Sequence, residues 1–287
     1  MLPTAPVLML RGTRWSVNDP YNPANDVHFF GRRVTIGERN LDPSSIVTHE
    51  AKTALSVWDA VPVVAASGCT LTIHQCWWGL ANQSIALAKY LEVAPDLRAD
   101  EWPAKRVIEV GAGCGLVGIA LGLQGASVTI TDLGEVLPSI QMNVDANKTE
   151  GHELDVKVAE LRWGEDIGIV VRDGPFDLIV ASDVIWLDHL LQPLVDTFTR
   201  LVTYQRNSGD GHHTSVDDSQ RRRREIILAH ETRSLQVEQK FFRLMADAGF
   251  VVQQVSYDDM HPSYRAKDIA IYRIRLAHHE GTTVLSD

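Results

Sequence analysis

Three glycines follow a short β-rich run at Val107 and lie where a strand would turn into a helix. Gly111, Gly113 and Gly115 alternate with other residues in the stretch VIEVGAGCGLVG. Because glycine has no Cβ, a ligand can approach the backbone of such a turn closely. The following helix would offer free N–H groups to a carboxylate or a phosphate. Asp132 comes about 20 residues later, at the end of the next β-rich run, where an acid lies beside the ribose of a nucleotide bound to a doubly wound sheet.

Two classes of ligand compete for this turn, and an acidic residue distinguishes them. Residues 113–118, GCGLVG, match the G-x-G-x-x-G pattern of dinucleotide-binding loops, a match that is weak by itself. Glu109 stands two residues before Gly111, and a carboxylate there would repel a pyrophosphate. It would attract a ligand that carries an ammonium and a sulfonium group, such as S-adenosylmethionine. The charge pattern therefore favours S-adenosylmethionine over a dinucleotide, with a helix-capping role for Glu109 as the alternative.

Apolar and β-branched runs alternate with helix-like segments from Arg106 onward. Seven runs are predicted as strands, beginning with RVIEV and continuing with SVTITDL, DVKVAEL, FDLIVAS, EIILAHE, FVVQQVSY and DIAIYRIRL. Helices are predicted between them at Leu116–Leu123, SIQMNVDAN, Asp188–Leu201 and Ser234–Ala248. This alternation predicts an α/β, doubly wound, Rossmann-like sandwich. No helix is predicted between the last two runs, so the seven-stranded, mostly parallel sheet should end in an antiparallel strand.

The rest of the chain is organised differently. Residues 1–50 are expected to form an N-terminal extension in which HFFGRRVTIGER, from His28 to Arg39, makes a short β-hairpin. Residues 51–287 would form the main domain, entered by a helix over Gly79–Leu91 that ends before Pro95. Residues 204–224 are polar, rich in glycine and serine, and end in four arginines, which is typical of a mobile loop. A contact with phosphate or an acidic partner is the alternative for this insert.

Composition and charge restrict the class of protein. The 287 residues are 45% apolar, which is ordinary for a globular protein and excludes wholesale disorder. A net charge of −10 argues against binding along a nucleic-acid backbone, and no run approaches the ~18 apolar residues that span a bilayer. Three cysteines do not make a disulfide framework, so a cytoplasmic location is expected, with the nucleus as an alternative. The histidines and cysteines lack metal-binding spacing, and no metal site is predicted.

Several motifs of the chain resemble, in the same order, those of one group of enzymes. VIEVGAGCGLVGIALGLQGASVTITDL is similar to the nucleotide loop of the seven-stranded, adenosylmethionine-dependent methyltransferases. WGLANQSIALAKYLE precedes it, and LRWGED, SDVIW, ILAHETRSLQVEQKFFRLMADAGF and HPSYRAKDIAIYRIR follow. Within that group the chain resembles the methyltransferase-like 21 family, whose better-known members methylate lysines in non-histone proteins. The resemblance covers roughly Gly31 to Leu276. It implies S-adenosylmethionine as cofactor, a methyltransferase domain over residues 51–287 and a lysine-bearing protein partner.

The resemblance assigns the binding of the cofactor to residues near the turn. Gly111, Ala112 and Gly113 would hold the methionine portion through their backbone. Asp132, with Leu133 beside it, would accept hydrogen bonds from both ribose hydroxyls. A turn or helix-cap role is the alternative for Asp132.

Three further residues complete the implied cofactor pocket. Trp163, in the Trp-Gly motif, would pack against adenine, because a flat base stacks well on an indole, with a place at the rim of the core as the alternative. Ser182 would line the pocket through its backbone. Trp78 begins the helix before the first strand of the main sheet and would lie near the cofactor. The family spacing falls closer to Ala81, so core packing is the alternative for Trp78.

The catalytic assignment falls on the motif SDVIW. Asp183 corresponds to the acid of the family's Asp-x-x-Tyr signature at the end of the fourth strand, where it can orient an amine and stabilise the developing positive charge. A helix cap is the alternative for this aspartate. Trp186 stands where the family has a tyrosine; it keeps an aromatic wall that favours a cationic amine but lacks the hydroxyl.

The expected activity is methylation of a lysine side chain in a non-histone protein. Two alternatives remain: methylation of a metabolite amine or heterocycle, and a regulator that binds the cofactor without turnover.

Overall fold

The computed structural model describes residues 28–29, 32–33, 74–148, 154–205 and 224–277, with the backbone alone described for residues 28–29, 32–33 and 74–82. Strands β1 (His28–Phe29) and β2 (Arg32–Arg33) pair antiparallel within the predicted hairpin. The remainder of that hairpin, and residues 206–223 of the predicted insert, lie outside the described residues.

All seven runs predicted as strands of the main sheet are strands. They are β3 (Arg106–Val110), β4 (Ser127–Asp132), β5 (Val156–Glu160), β6 (Leu178–Ser182), β7 (Glu225–Glu231), β8 (Phe250–Gln254) and β9 (Ile269–Leu276). Among the described residues, the α-helices are α1 (His74–Val93), α2 (Leu116–Leu123), α3 (Leu137–Ala146), α4 (Leu191–Thr203) and α5 (Leu235–Asp247). The predicted helix over Gly79–Leu91 is therefore longer at both ends, and it still stops before Pro95.

The sheet is mixed, as predicted. Its strand order is β5-β4-β3-β6-β7-β9-β8. The first five strands in this order run parallel, and β9 pairs antiparallel with both β7 and β8. The chain leaves β3 in one direction for β4 and β5 and then crosses back to β6. This reversal opens a crevice at the carboxyl ends of β3 and β6, where ligands bind in doubly wound sheets.

Apolar side chains cover both faces of the sheet. In β6, Leu178 and Val180 face the core under α1, α2 and α3, whereas Ile179 and Ala181 face the core under α4 and α5. Burial on both faces explains why the central strands are almost continuously apolar in sequence.

Two further properties concern the described residues only. None of their helices combines the length and the apolar character needed to cross a membrane. The same residues contain no group of three or more His, Cys, Asp or Glu side chains that could hold a metal ion.

Candidate active site

The glycine loop joins β3 to α2 at the crevice. Gly111, Gly113 and Gly115 all have positive φ, at 65°, 57° and 75°. The backbone N–H of Ala112 donates to the carbonyl of Thr131 at 3.0 Å, which ties the loop to the end of β4. The loop is thus fixed to two neighbouring parallel strands, in a backbone conformation that its glycines adopt readily.

Gly111 shows how closely the surrounding residues approach this loop. A Cβ placed on Gly111 would stand 2.8 Å from Val184 Cγ1 and 2.9 Å from Trp163 Cζ2. Both distances are too short for carbon atoms in contact. The indole predicted to receive adenine therefore packs directly beside the glycine loop and against the core, and its contact with adenine stays a prediction.

A turn beside helix α4 holds Trp163 in place. Gly164, which follows it, has a φ of 83° and donates its N–H to Thr197 Oγ1 at 2.8 Å. The guanidinium of Arg200 donates to the carbonyl of Gly164 at 3.2 Å. In the Trp-Gly motif the tryptophan supplies the aromatic ring. The glycine adopts the positive φ of the turn that positions this ring.

Asp132 links the end of β4 to the glycine loop. Its Oδ2 accepts the N–H of Gly113 at 2.7 Å, and its Oδ1 accepts the N–H of Leu133 at 2.7 Å. Burial raises the pKa of this carboxyl to about 6, although the two backbone hydrogen bonds act in the opposite direction. A carboxylate offers about four acceptor positions, so two remain for hydroxyl donors such as those of a ribose. Leu133 packs against the core beside α2 and α3.

Glu109 is turned toward helix α2 beneath the loop. Its side chain is 1% exposed, and Oε2 accepts the N–H of Gly118 at 2.8 Å. Burial raises the pKa of Glu109 to about 8, the bond from Gly118 lowers it, and the nearby Asp132 carboxyl raises it. The second oxygen, Oε1, is buried without a hydrogen-bond partner. The geometry shows the helix-capping contact, while the ammonium contact of Glu109 stays a prediction.

A pair of serines joins α1 to the end of β6. The hydroxyls of Ser84 and Ser182 lie 2.7 Å apart in a buried hydrogen bond. Sequence reasoning predicted Ser182 and missed Ser84. A signal was present, because Ser84 lies three and four residues before Leu87 and Ala88 and so shares their apolar helical face. Trp78 lies within α1, on the part described by its backbone alone, and its cofactor role stays a prediction.

Asp183 directly follows β6 and has an unusual backbone conformation. Its φ is 58°, and its N–H donates to the carbonyl of Ala229 in β7 at 3.1 Å. Oδ2 accepts a hydrogen bond from Arg233 Nη2 at 2.8 Å, and Oδ1 is buried without a partner. Burial raises the pKa of Asp183 to about 6, although the positive charge of Arg233 opposes this shift. Helix α4 begins only at Leu191, so Asp183 does not cap it.

Trp186 lies three residues beyond Asp183, in the segment that leads to a short 3-10 helix at Asp188–Leu190. Its side chain is half-buried. The structure thus brings the two predicted catalytic residues to the carboxyl end of β6. Val184, which lies between them in sequence, packs against Gly111 of the glycine loop.

These residues fit S-adenosylmethionine on structural grounds. The glycine loop turns through three positive φ angles at the end of β3, and the indole of Trp163 packs against it. Glu109 Oε1 is buried at the start of this loop and has no hydrogen-bond partner among the described residues. Asp132 has acceptor capacity left at the end of the neighbouring strand.

Comparison with known proteins identifies the family of the chain. The model of the lysine methyltransferase family matches residues 71–248. A protein N-lysine methyltransferase METTL21A from Danio rerio is 36% identical over 193 residues, which cover 67% of this chain and 74% of that protein. The METTL21A protein of Mus musculus is 33% identical over 210 residues, 71% of this chain and 82% of that protein. EEF1A lysine methyltransferase 3 of Mus musculus is 32% identical over 175 residues, 61% of this chain and 63% of that protein.

The match covers the glycine loop, the Trp-Gly turn and the end of β6, and it confirms the resemblance seen in the sequence. The chain belongs to the lysine methyltransferase family and uses S-adenosylmethionine as its methyl donor.

Proposed function

We propose that this protein methylates a lysine side chain of a non-histone protein. The observation that carries the proposal is the buried, unpartnered Oδ1 of Asp183, which lies at the crevice beside the glycine loop. A buried oxygen that receives no hydrogen bond costs about 1–3 kcal/mol. An N–H of the substrate amine would supply the missing hydrogen bond. The names of the similar proteins support a lysine acceptor, and one of them names EEF1A, which is not a histone.

Asp183, Arg233 and Trp186 each have a separate role in the proposed reaction. When bound, S-adenosylmethionine supplies a methyl group on a positively charged sulfur. Asp183 accepts an N–H of the lysine amine at Oδ1 and thereby aligns the nitrogen lone pair for in-line attack. Arg233 holds the other oxygen and fixes the orientation of the carboxylate. The face of Trp186 offers an aromatic wall that favours the cationic, methylated product.

A lysine must be neutral before its nitrogen can attack. Burial of the ammonium in an apolar pocket lowers its pKa, and the indole of Trp186 contributes apolar surface to such a pocket. The negative charge of Asp183 opposes this shift but stabilises the positive charge that develops on nitrogen as the methyl group is transferred. Alignment and charge stabilisation are therefore the contributions that we assign to this site.

The proposal is tested by incubating the protein with radiolabelled S-adenosylmethionine and fractionated cell lysate. We expect label in a discrete non-histone band, and mass spectrometry should place it on lysine. If a methylated metabolite, separated from unreacted S-adenosylmethionine, were the only labelled product, the protein would be a metabolite methyltransferase instead. Intact cofactor binding without any labelled acceptor would indicate a regulator.

A further inference from the structure

Two side chains that the proposed reaction does not yet use lie at the end of β7. Glu231 is the last residue of this strand, and its Oε2 accepts a hydrogen bond from Gln83 Nε2 of α1 at 3.1 Å. Gln83 is 0% exposed. Ser84, the neighbour of Gln83, hydrogen-bonds to Ser182, the neighbour of Asp183, at 2.7 Å, and the N–H of Asp183 donates to Ala229, two residues before Glu231.

The orientation of the Gln83 amide follows from this contact. An ionised carboxylate only accepts hydrogen bonds, so the amide nitrogen of Gln83 must face Glu231. The amide oxygen consequently points away from Glu231. Within the described part of the chain this oxygen, Oε1, is buried and has no hydrogen-bond partner. Gln83 thus presents a second orphaned acceptor besides Asp183 Oδ1.

The charges of this group are not balanced. We call Gln83, Asp183, Glu231 and Arg233 the acceptor cluster. It contains two carboxylates and one guanidinium, so it carries one uncompensated negative charge when both acids are ionised. An incoming ammonium would neutralise that charge and could donate to both orphaned oxygens.

We infer that Gln83 and Glu231 complete the subsite for the acceptor amine. This inference rests on the proposed function and extends it beyond the Asp-x-x-Tyr position. Gln83 Oε1 accepts one N–H of the amine, Asp183 Oδ1 accepts another, and Glu231 holds the Gln83 amide and supplies the attractive charge. Glu231 acts through Gln83 and is a positioning residue.

The test uses n-butylamine as a mimic of the lysine side chain and n-butanol as its uncharged counterpart. Both are titrated by calorimetry against the full-length protein saturated with S-adenosylhomocysteine. We expect the wild-type protein to prefer butylammonium over butanol. Glu231→Gln keeps a side chain that can bond to Gln83 but removes the charge, and it should reduce that preference about tenfold. Gln83→Met should weaken butylammonium binding in the same direction.

The chain offers a matched control on its surface. Gln192 Nε2 donates to Asp196 Oδ1 at 2.8 Å in α4, the same type of pair in an exposed setting. Gln192→Met and Asp196→Asn should leave both affinities unchanged. Thermal melting checks that each variant folds. If Gln83→Met does not fold, Glu231→Gln alone decides the outcome.

Three results would overturn the inference. The first is a wild-type protein that binds butylammonium no better than butanol. The second is a Glu231→Gln variant with the wild-type preference. The third is a Glu231→Gln variant that loses affinity for S-adenosylmethionine in parallel, which would show that the pair supports the binding of the cofactor. Failure of the proposed function is distinct, because it appears as a wild-type protein that labels no protein acceptor, whatever its affinity for butylammonium.

Discussion

Arg233 Nη2 donates to Asp183 Oδ2 at 2.8 Å, across 50 positions of sequence, and leaves the other carboxylate oxygen unpaired at the crevice. The Asp183 side chain is 9% exposed and that of Arg233 is 38% exposed. The pair is therefore partly shielded from water, so removing one partner should affect the other more than at the protein surface.

Asp183→Asn should lower kcat for methyl transfer about 100-fold, because the amide is uncharged and stabilises the developing ammonium less well. Asparagine tolerates positive φ as aspartate does, so the φ of 58° should be retained and the melting temperature should change little. Initial rates with labelled cofactor and calorimetry of cofactor binding measure the two effects. A variant with kcat within a few-fold of wild type would remove Asp183 from the reaction.

The rate at saturating cofactor should respond to pH through Asp183. Burial raises the pKa of this carboxyl to about 6, so it gains a proton as the pH falls through that value and ceases to act as an anionic acceptor. Protonation of the lysine already gives the logarithm of the rate a slope of about 1 against pH, and the slope should steepen to about 2 below pH about 6. The additional break should vanish in Asp183→Asn. Its persistence in that variant would assign the break to another group.

Arg233→Met should move that break toward higher pH. The guanidinium lowers the pKa of Asp183 through its charge and its hydrogen bond, and both effects disappear with methionine. Arg233→Lys retains the charge and should restore most of the wild-type profile. Arg265→Met, which breaks an ion pair with Asp258 elsewhere on the surface, is the control. An unchanged break in Arg233→Met would show that the ion pair does not tune Asp183.

Gly111→Ala should abolish measurable cofactor binding and destabilise the fold by roughly 1–3 kcal/mol. The added Cβ meets Val184 and Trp163 at under 3 Å, and the φ of 65° is unfavourable for alanine. Gly249→Ala separates the effect of the close contacts from the effect of the positive φ. Its φ of 85° is equally unfavourable for alanine, but nothing lies within 4 Å of the added Cβ. Chemical denaturation and cofactor titration compare them. Equal effects of the two substitutions would show that the contacts of Gly111 are unimportant.

Cofactor binding at pH 7 should release close to one proton from Glu109. The pKa of its carboxyl is raised to about 8 in the unliganded protein, so at pH 7 it is mostly protonated. A bound ammonium nearby would favour the ionised form and expel the proton. Calorimetry in buffers of different ionisation enthalpy measures this release, and Glu109→Gln should eliminate it. Binding without proton release would limit Glu109 to its contact with the N–H of Gly118.

The sequence alone determined the elements and the cofactor loop. Strand and helix periodicity depend on neighbouring residues, and for this reason all seven runs predicted as strands of the main sheet became strands of that sheet. The positive φ angles of Gly111, Gly113 and Gly115 likewise follow from a local signal, since few other residues adopt them readily. Asp132 could be placed beside the loop because consecutive parallel strands end at the same edge of the sheet.

Only the tertiary structure decided which polar groups meet at the crevice. Gln83 and Glu231 are 148 positions apart, and Ser84 and Ser182 are 98 apart, so no local pattern links them. These contacts arise because β6 and β7 lie side by side and α1 packs across their ends. A buried side chain takes its charge state and its partners from the elements packed around it, and those are fixed only when the whole sheet has formed.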